Sequence, residues 1–274
     1  MILTSENYYS KEADLEYMSV SQFKLFEECE AKALATIQGQ EDATSKVAFL
    51  EGQFFEALVA GDKDFFMAKH HEELISSRGT TKGELKANFK DVLNAANKFN
   101  EQKFFKDIID KCEKQVILTG EIEGIKVKCA LDLFDKETNS IYDIKCMSDF
   151  KDQWSKKDRM YIYWYYQYNY DLQLAVYKEI VRQNFGEPKE VGLIAATKEK
   201  TPDIDALSFD LVLLNMELDY FKSKIKHYDN IKKGIEKPEY CGECDYCKKM
   251  KTISCFRRIN YEYIWFLWLA NANI

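Results

Sequence analysis

The chain carries no excess of positive charge: 39 lysines and arginines face 46 aspartates and glutamates, for a net charge of −7. That excludes a generally sticky nucleic-acid coat, although a local basic groove or bound cations can still carry phosphate recognition. No apolar run reaches the length of a membrane span, and the strongest, residues 264–270, is far too short. No charged-then-apolar leader opens the chain, because MILTSENYYSKEADLEY is polar and acidic. Neither an internal repeat nor a low-complexity linker interrupts it. What is present is 274 residues with 46% hydrophobic and 14% aromatic content, enough to bury a full core in one large domain or one domain with decorations. Eight cysteines without a secretion signal point to a reducing, cytoplasmic setting and to thiolates rather than disulfides.

Periodicity predicts a helix over 18–38 capped by Ser19 or Ser21, a second over 48–60, and helical spacing within 62–115 around a loop at 76–83. The segment GEIEGIKVKCALDLFDKETNSIYDIKC reads as a β hairpin turning between Asp135 and Ser140. A long helix over 158–184, strands over Glu190–Thr197 and Ala206–Leu213, and a charged helix over 215–235 follow. This is an α/β order with a mixed sheet at its centre. The expected division is a main body over 1–235, a cysteine-rich segment over 236–258, and an apolar tail over 259–274 that packs on the body or on a partner chain.

Asp132 stands in the first arm of the hairpin; Asp143 and Lys145, two apart on the second, leave the sheet on the same side. Ala130-Leu131 and Ile141-Tyr142 precede the acids, so the acids interrupt core-like strands, where a solvated face is a poor explanation. Two carboxylates and an ammonium are costly to bury together without a purpose, and a hard divalent cation supplies one. On the following helix Tyr166, Tyr170, Gln173 and Tyr177 are spaced to share a face. The tyrosines read first as core, with base stacking as the functional alternative. Gln173, enclosed by Leu172 and Leu174, reads as functional. Lys151, Lys156, Lys157 and Arg159 offer a local cationic patch.

Cys241-x-x-Cys244-x-x-Cys247, with Cys255 eight residues on, has metal-ligand spacing and needs a fourth thiolate. Cys255 would complete a self-contained zinc knuckle. Cys112, Cys129 and Cys146 are scattered and read as small core residues.

Taken in order, Gly52-x-x-x-Glu56, Asp132, Asp143-x-Lys145 and Gln173-x-x-x-Tyr177 resemble the PD-(D/E)xK nuclease superfamily, and within it the RecB-like and RecE-like (exodeoxyribonuclease VIII-like) phage exonucleases. The resemblance runs from the Ser-x-Ser helix near 20 to the cysteines near 250. It rests on the ordered combination, since no single motif is specific. It departs at Leu131, where the signature has proline, and at Glu56, where RecB-like members often carry histidine.

The resemblance implies an α/β restriction-endonuclease-like core with a mixed sheet flanked by helices. It implies Mg²⁺ or Mn²⁺ held by Glu56, Asp132, Asp143 and the Ile144 carbonyl. Lys145 would position the attacking water and stabilise the developing charge, Gln173 would orient the attacked strand, and Tyr177 would contact DNA or brace the site. Some RecB-like nucleases join one early cysteine to three C-terminal ones around a four-iron–four-sulfur cluster. On that pattern Cys29 joins the C-terminal set, with Cys247 or Cys255 spare, and the cluster is preferred to structural zinc.

The implied activity is metal-dependent exonucleolytic digestion of linear duplex DNA in phage-type recombination within a bacterial cell. The family also implies 5′ to 3′ digestion, a homo-oligomeric ring, and a single-strand annealing protein as partner. The rivals are a site- or structure-specific endonuclease of the same fold, including one that trims integration substrates for CRISPR adaptation, and a non-catalytic DNA-binding protein working through its cysteine knuckle.

Overall fold

The computed structural model describes residues 1–41, 46–155, 159–256 and 258. An all-helical first part comprises α1 (Lys11–Glu16), α2 (Val20–Glu28), α3 (Glu30–Ile37), α4 (Lys46–Ala60), α5 (Lys63–Lys69), α6 (His71–Leu74), α7 (Ala87–Asn100) and α8 (Lys103–Lys111). The strands β1 (Glu113–Ile122), β2 (Ile125–Asp135) and β3 (Ser140–Met147) follow, then a small pair, β4 (Gln153–Ser155) and β5 (Met160–Ile162). The chain continues through α9 (Trp164–Gln167), α10 (Tyr170–Phe185), β6 (Val191–Thr197), β7 (Ile204–Ser208), α11 (Leu211–Lys232) and α12 (Asp245–Met250).

Five strands form one sheet in the order β1-β2-β3-β6-β7. β1, β2 and β3 run as an antiparallel meander, β6 lies parallel to β3 after the α10 crossover, and β7 turns back antiparallel. β6 is buried along its whole length, as a central strand of mainly small and branched residues should be. At Gly192 a β-carbon would stand 2.8 Å from the Tyr142 ring, so any side chain there would have to displace the ring.

Each face of the sheet buries its own core. Phe23 and Phe26 of α2, Leu172 and Val176 of α10, and Phe221 and Ile225 of α11 close over Val127, Cys129 and Leu131. Phe54 and Phe55 of α4 and Phe89 and Phe99 of α7 close over Leu133, Ile144 and Ile194 on the other side. Burying a phenylalanine contributes about 1.5–3 kcal/mol. Among the described residues, no helix is long and apolar enough to cross a membrane.

The structure corrects several expected boundaries. The helix over 18–38 is two helices, because Cys29 adopts an extended conformation (φ −169°, ψ 111°) between them. Ser19 is the cap, accepting from the Gln22 amide at 3.2 Å. The hairpin is a three-stranded meander: Glu123 and Gly124 both take positive φ (51° and 75°), the primed two-residue turn that suits strand twist, and β1 starts at Glu113, inside the stretch read as helical. The helix over 158–184 is β5, then α9, then α10, since Asn169 (φ 49°) stops α9 in the left-handed region that asparagine tolerates. The strand over 206–213 ends at Ser208, where Asp210 caps α11 by accepting from the Val212 amide. Lys156, Lys157 and the tail over 259–274 lie outside the described residues.

Candidate functional site

The predicted residues meet where β2 and β3 part company. Their pairing runs from Asp135 with Ser140 to Leu133 with Tyr142 and then stops. The side-chain phase of β2 also changes there: Val127, Cys129 and Leu131 face one core, while Leu133 faces the other. Asp132 sits at this break. Its Oδ2 accepts the Ile144 N–H at 2.9 Å, so a side chain satisfies an amide that the ladder no longer reaches.

The Lys145 ammonium occupies the centre. It lies 2.6 Å from Asp143 Oδ2, 3.9 Å from Asp132 Oδ2 and 3.3 Å from the Ile144 carbonyl oxygen. Three oxygens read from sequence as cation ligands therefore already surround a positive charge. Glu56 of α4 and Asp132 Oδ1 are bridged by the Gln115 amide, which donates at 3.3 and 3.2 Å. Gln173 of α10 donates to Asp143 Oδ1 at 2.7 Å. Tyr177 stands one turn further along α10 and packs against the core; burial, then Tyr8 and Asp143, push its hydroxyl pKa up.

Electrostatics mark the same centre. Burial, then Asp143 and Glu56, raise the Asp132 pKa well above the usual carboxylate range. Burial also raises Glu56, with Asp143 adding to it and Lys145 opposing. For Lys145, burial works against the charge, yet Asp143 and Asp132 outweigh it and the pKa stays above the usual lysine value. Crowded carboxylates that raise one another's pKa are relieved by a cation. Asp143 Oδ2 is buried and makes no aligned hydrogen bond despite its ion pair with Lys145. The donor set of carboxylates and a carbonyl suits a hard divalent ion such as Mg²⁺ or Mn²⁺, so the residues fit the implied metal.

Tyr166 does not join the tyrosine–glutamine face, because it belongs to α9. Tyr170 does, lying under both Lys145 (5.4 Å from the ring centroid) and Lys24 (5.2 Å). Sequence reasoning missed Lys24 and Gln115. Lys24 of α2 donates to Gln173 Oε1 at 3.2 Å and to the Tyr168 carbonyl at 2.8 Å. Burial, then the nearby Lys145, lower its pKa to about 7. No local motif announces either residue: each arrives from an element remote in sequence.

A second cluster lies at the junction of α2 and α3. Cys29, Cys241, Cys244 and Cys247 bring their sulfurs within 4.8 Å of one another. Cys29 and Cys247 are 3.5 Å apart, and Cys241 and Cys247 are 3.7 Å apart. The Ala31 amide donates to the Glu239 carbonyl and the Glu239 amide to Glu30, which stitches the C-terminal segment to α3. Cys255 is exposed and stands outside the group, since the chain leaves the cluster after α12. The self-contained knuckle is thereby corrected: the fourth cysteine of this group is the early one. Cys129 is buried as expected, while Cys112 and Cys146 are half-buried against the α4–α7 core.

A nuclease class is what this fold and site define: a mixed sheet whose parted strands present an acid, then an acid and a lysine, to a glutamine helix. Residues 19–250 match the model of a family described as a PDDEXK-like domain of unknown function, and the chain belongs to that family. The fold is also that of a solved Eubacterium rectale protein described as a "putative exonuclease". The two are 32% identical and align with a TM-score of 0.85 over 96% of this chain and 98% of that one. A further solved structure, 13% identical over 83% of this chain and 91% of that one, aligns with a TM-score of 0.29 and carries no argument. No curated protein matches the chain.

Proposed function

We propose that this protein is a metal-dependent deoxyribonuclease that digests linear duplex DNA from its ends. The observation that carries the reading is the Lys145 ammonium encircled by Asp143, Asp132 and the Ile144 carbonyl. Glu56, Asp132, Asp143 and that carbonyl would hold Mg²⁺ or Mn²⁺, which when bound polarises a phosphoryl oxygen and lowers the pKa of a water. The chain's own groups do the rest. Lys145 orients the attacking water and stabilises charge gathering on the phosphoryl oxygens. Asp132 is fixed by the Ile144 amide, and Asp143 by Gln173. Tyr170 and Tyr177 brace that face of the site. Digestion from ends, rather than internal cutting, is supported by the description of the Eubacterium rectale protein. A part in phage-type recombination, 5′ to 3′ polarity, a ring-shaped oligomer and an annealing partner rest on the RecE-like resemblance.

For the cysteines we infer one tetrahedral metal ion, in preference to the four-iron–four-sulfur cluster. Thiolates at 2.3 Å around zinc stand about 3.8 Å apart. The sulfur spacings of 3.5 and 3.7 Å agree with that, whereas a cubane between the sulfurs would spread them further. Zinc at one per chain in a colourless protein is the expected analysis, and a brown protein rich in iron would reverse the assignment.

The test of activity uses linear and covalently closed circular duplex DNA with Mg²⁺. Loss of the linear form alone is expected. Cutting of the closed circle would give the endonuclease reading the site instead. Asp143→Ala protein that still degrades linear DNA would remove the nuclease reading.

A further inference from the structure

Gln115 has no place in the family pattern, yet four features single it out. It holds φ at +53°, a conformation that costs a non-glycine residue about 1–3 kcal/mol and that gathers at functional sites. It is the one β1 residue between Lys114 and Val116, which pair with Leu133 and Leu131, that has no ladder partner, and it stands opposite Asp132. The resulting kink sends its amide between Glu56 Oε2 and Asp132 Oδ1. With Gln53, Glu56, Lys114, Asp132 and Ile144 it also lines a cavity of about 210 Å³.

We propose that the Gln115 side chain is a ligand of the active-site cation, alongside the two carboxylates that it bridges; this rests on reading Glu56 and Asp132 as metal-binding. The separations carry the argument. Adjacent corners of an octahedron with bonds of 2.0–2.1 Å stand about 3.0 Å apart. The Gln115 terminal atom is 3.2 Å from one carboxylate oxygen and 3.3 Å from the other, close to two such edges. The NH₂ group faces the two carboxylates, which accept from it. A half-turn of the amide would present the carbonyl oxygen, a hard neutral ligand, to a cation at the same corner. The kinked backbone is what lets an edge-strand residue reach that corner.

Calorimetric titration of the full chain with Mn²⁺, in the absence of DNA, tests this. Gln115→Ala should weaken binding by roughly tenfold or more, the order seen when groups that support a metal site are removed. Gln115→Glu should match or exceed the wild type, since it keeps an oxygen at the corner and adds charge. Gln115→Asn keeps the left-handed backbone but is one methylene short, so it should weaken binding like alanine and separates the amide from the strand kink. Thermal melting of the metal-free Asn variant should stay near wild type, because the residue is exposed on an edge strand, whereas the Glu variant should melt lower without Mn²⁺, since it adds a third carboxylate beside Glu56 and Asp132. Unchanged Mn²⁺ affinity in Gln115→Ala overturns the proposal. Tighter binding overturns it too, by making the amide a mere obstacle. Asp132→Ala distinguishes the two levels: if it abolishes Mn²⁺ binding while Gln115→Ala does nothing, only this inference fails, and if it leaves binding intact, the metal reading of the whole site fails.

Discussion

Replacing Lys24 by methionine should slow DNA digestion and raise the melting temperature of the same protein. Lys24 can only donate, and it donates to Gln173 Oε1 at 3.2 Å, so the other end of that amide must turn its NH₂ to Asp143 at 2.7 Å. Without the ammonium, the amide oxygen loses its donor, and the bond to Asp143 alone holds the orientation. A hydrogen bond involving a charged partner contributes about 1.5–3 kcal/mol, and losing that much orientation corresponds to about a 10- to 100-fold lower rate. Stability moves the other way. Burial and the nearby Lys145 lower the Lys24 pKa from 10.5 to about 7, so the fold holds this ammonium at a cost. For the wild type, the cost is fully present below pH 7 and fades as pH rises towards 10.5, where the unfolded chain also gives up its proton. Methionine of similar length fills the space without charge, so its advantage should be largest at and below pH 7. Single-turnover digestion of linear duplex and thermal melting across pH 6–10 read both effects, the range being about the window in which the group titrates. A variant with wild-type rate and a lower melting temperature would refute the argument.

Other perturbations have definite signs. Cys29→Ser should cut bound metal sharply and lower the melting temperature, because a structural metal contributes folding free energy outright; metal analysis and calorimetry check it, and chelation of the wild type should reproduce it. Gly192→Ala should destabilise by about 1–3 kcal/mol through the Tyr142 ring, seen as a shifted denaturant midpoint at unchanged slope. Burial and Asp171 raise the Glu217 pKa from 4.5 to about 7, so its proton is worth keeping in the fold; that contribution is present below pH 4.5 and lost as pH rises through 7. Glu217→Gln should therefore gain melting temperature relative to wild type above pH 7 and not at pH 4.5. Lys145→Ala should abolish digestion while the chain still folds.

The sheet could be read from the chain because its signals are local. The period-two pattern around Asp132 and the apolar run EVGLIAAT each decide their own conformation, and both became strands. Several misread boundaries turn on single residues whose backbone breaks the local pattern without a signal in the composition. Asn169 at φ 49° splits a tyrosine-rich stretch that otherwise has helical spacing, and Cys29 splits another without any proline or glycine. The Glu123-Gly124 turn was short enough to hide inside a run that reads as one strand.

In the site, the legible residues were those whose type conflicts with their neighbours. Asp132, Asp143 and Lys145 are charged in apolar strands, and Gln173 is polar between leucines; burying such groups demands partners, so sequence alone could flag them. Lys24 and Gln115 carry no such conflict, one being a lysine on a helix and the other a polar residue in the polar run Glu113-Lys114-Gln115. Their roles exist only because α2 and β1 meet β3 and α10 in three dimensions. Cys29 is named through the family resemblance rather than by any local conflict, since its grouping with Cys241, Cys244 and Cys247 spans more than two hundred residues. α2 thus ends in a cysteine of the four-cysteine group and carries, five residues earlier, the lysine that sets the amide beside Asp143. A metal held by those cysteines would therefore also fix one wall of the proposed active site, a physical link between the cysteines and the proposed chemistry.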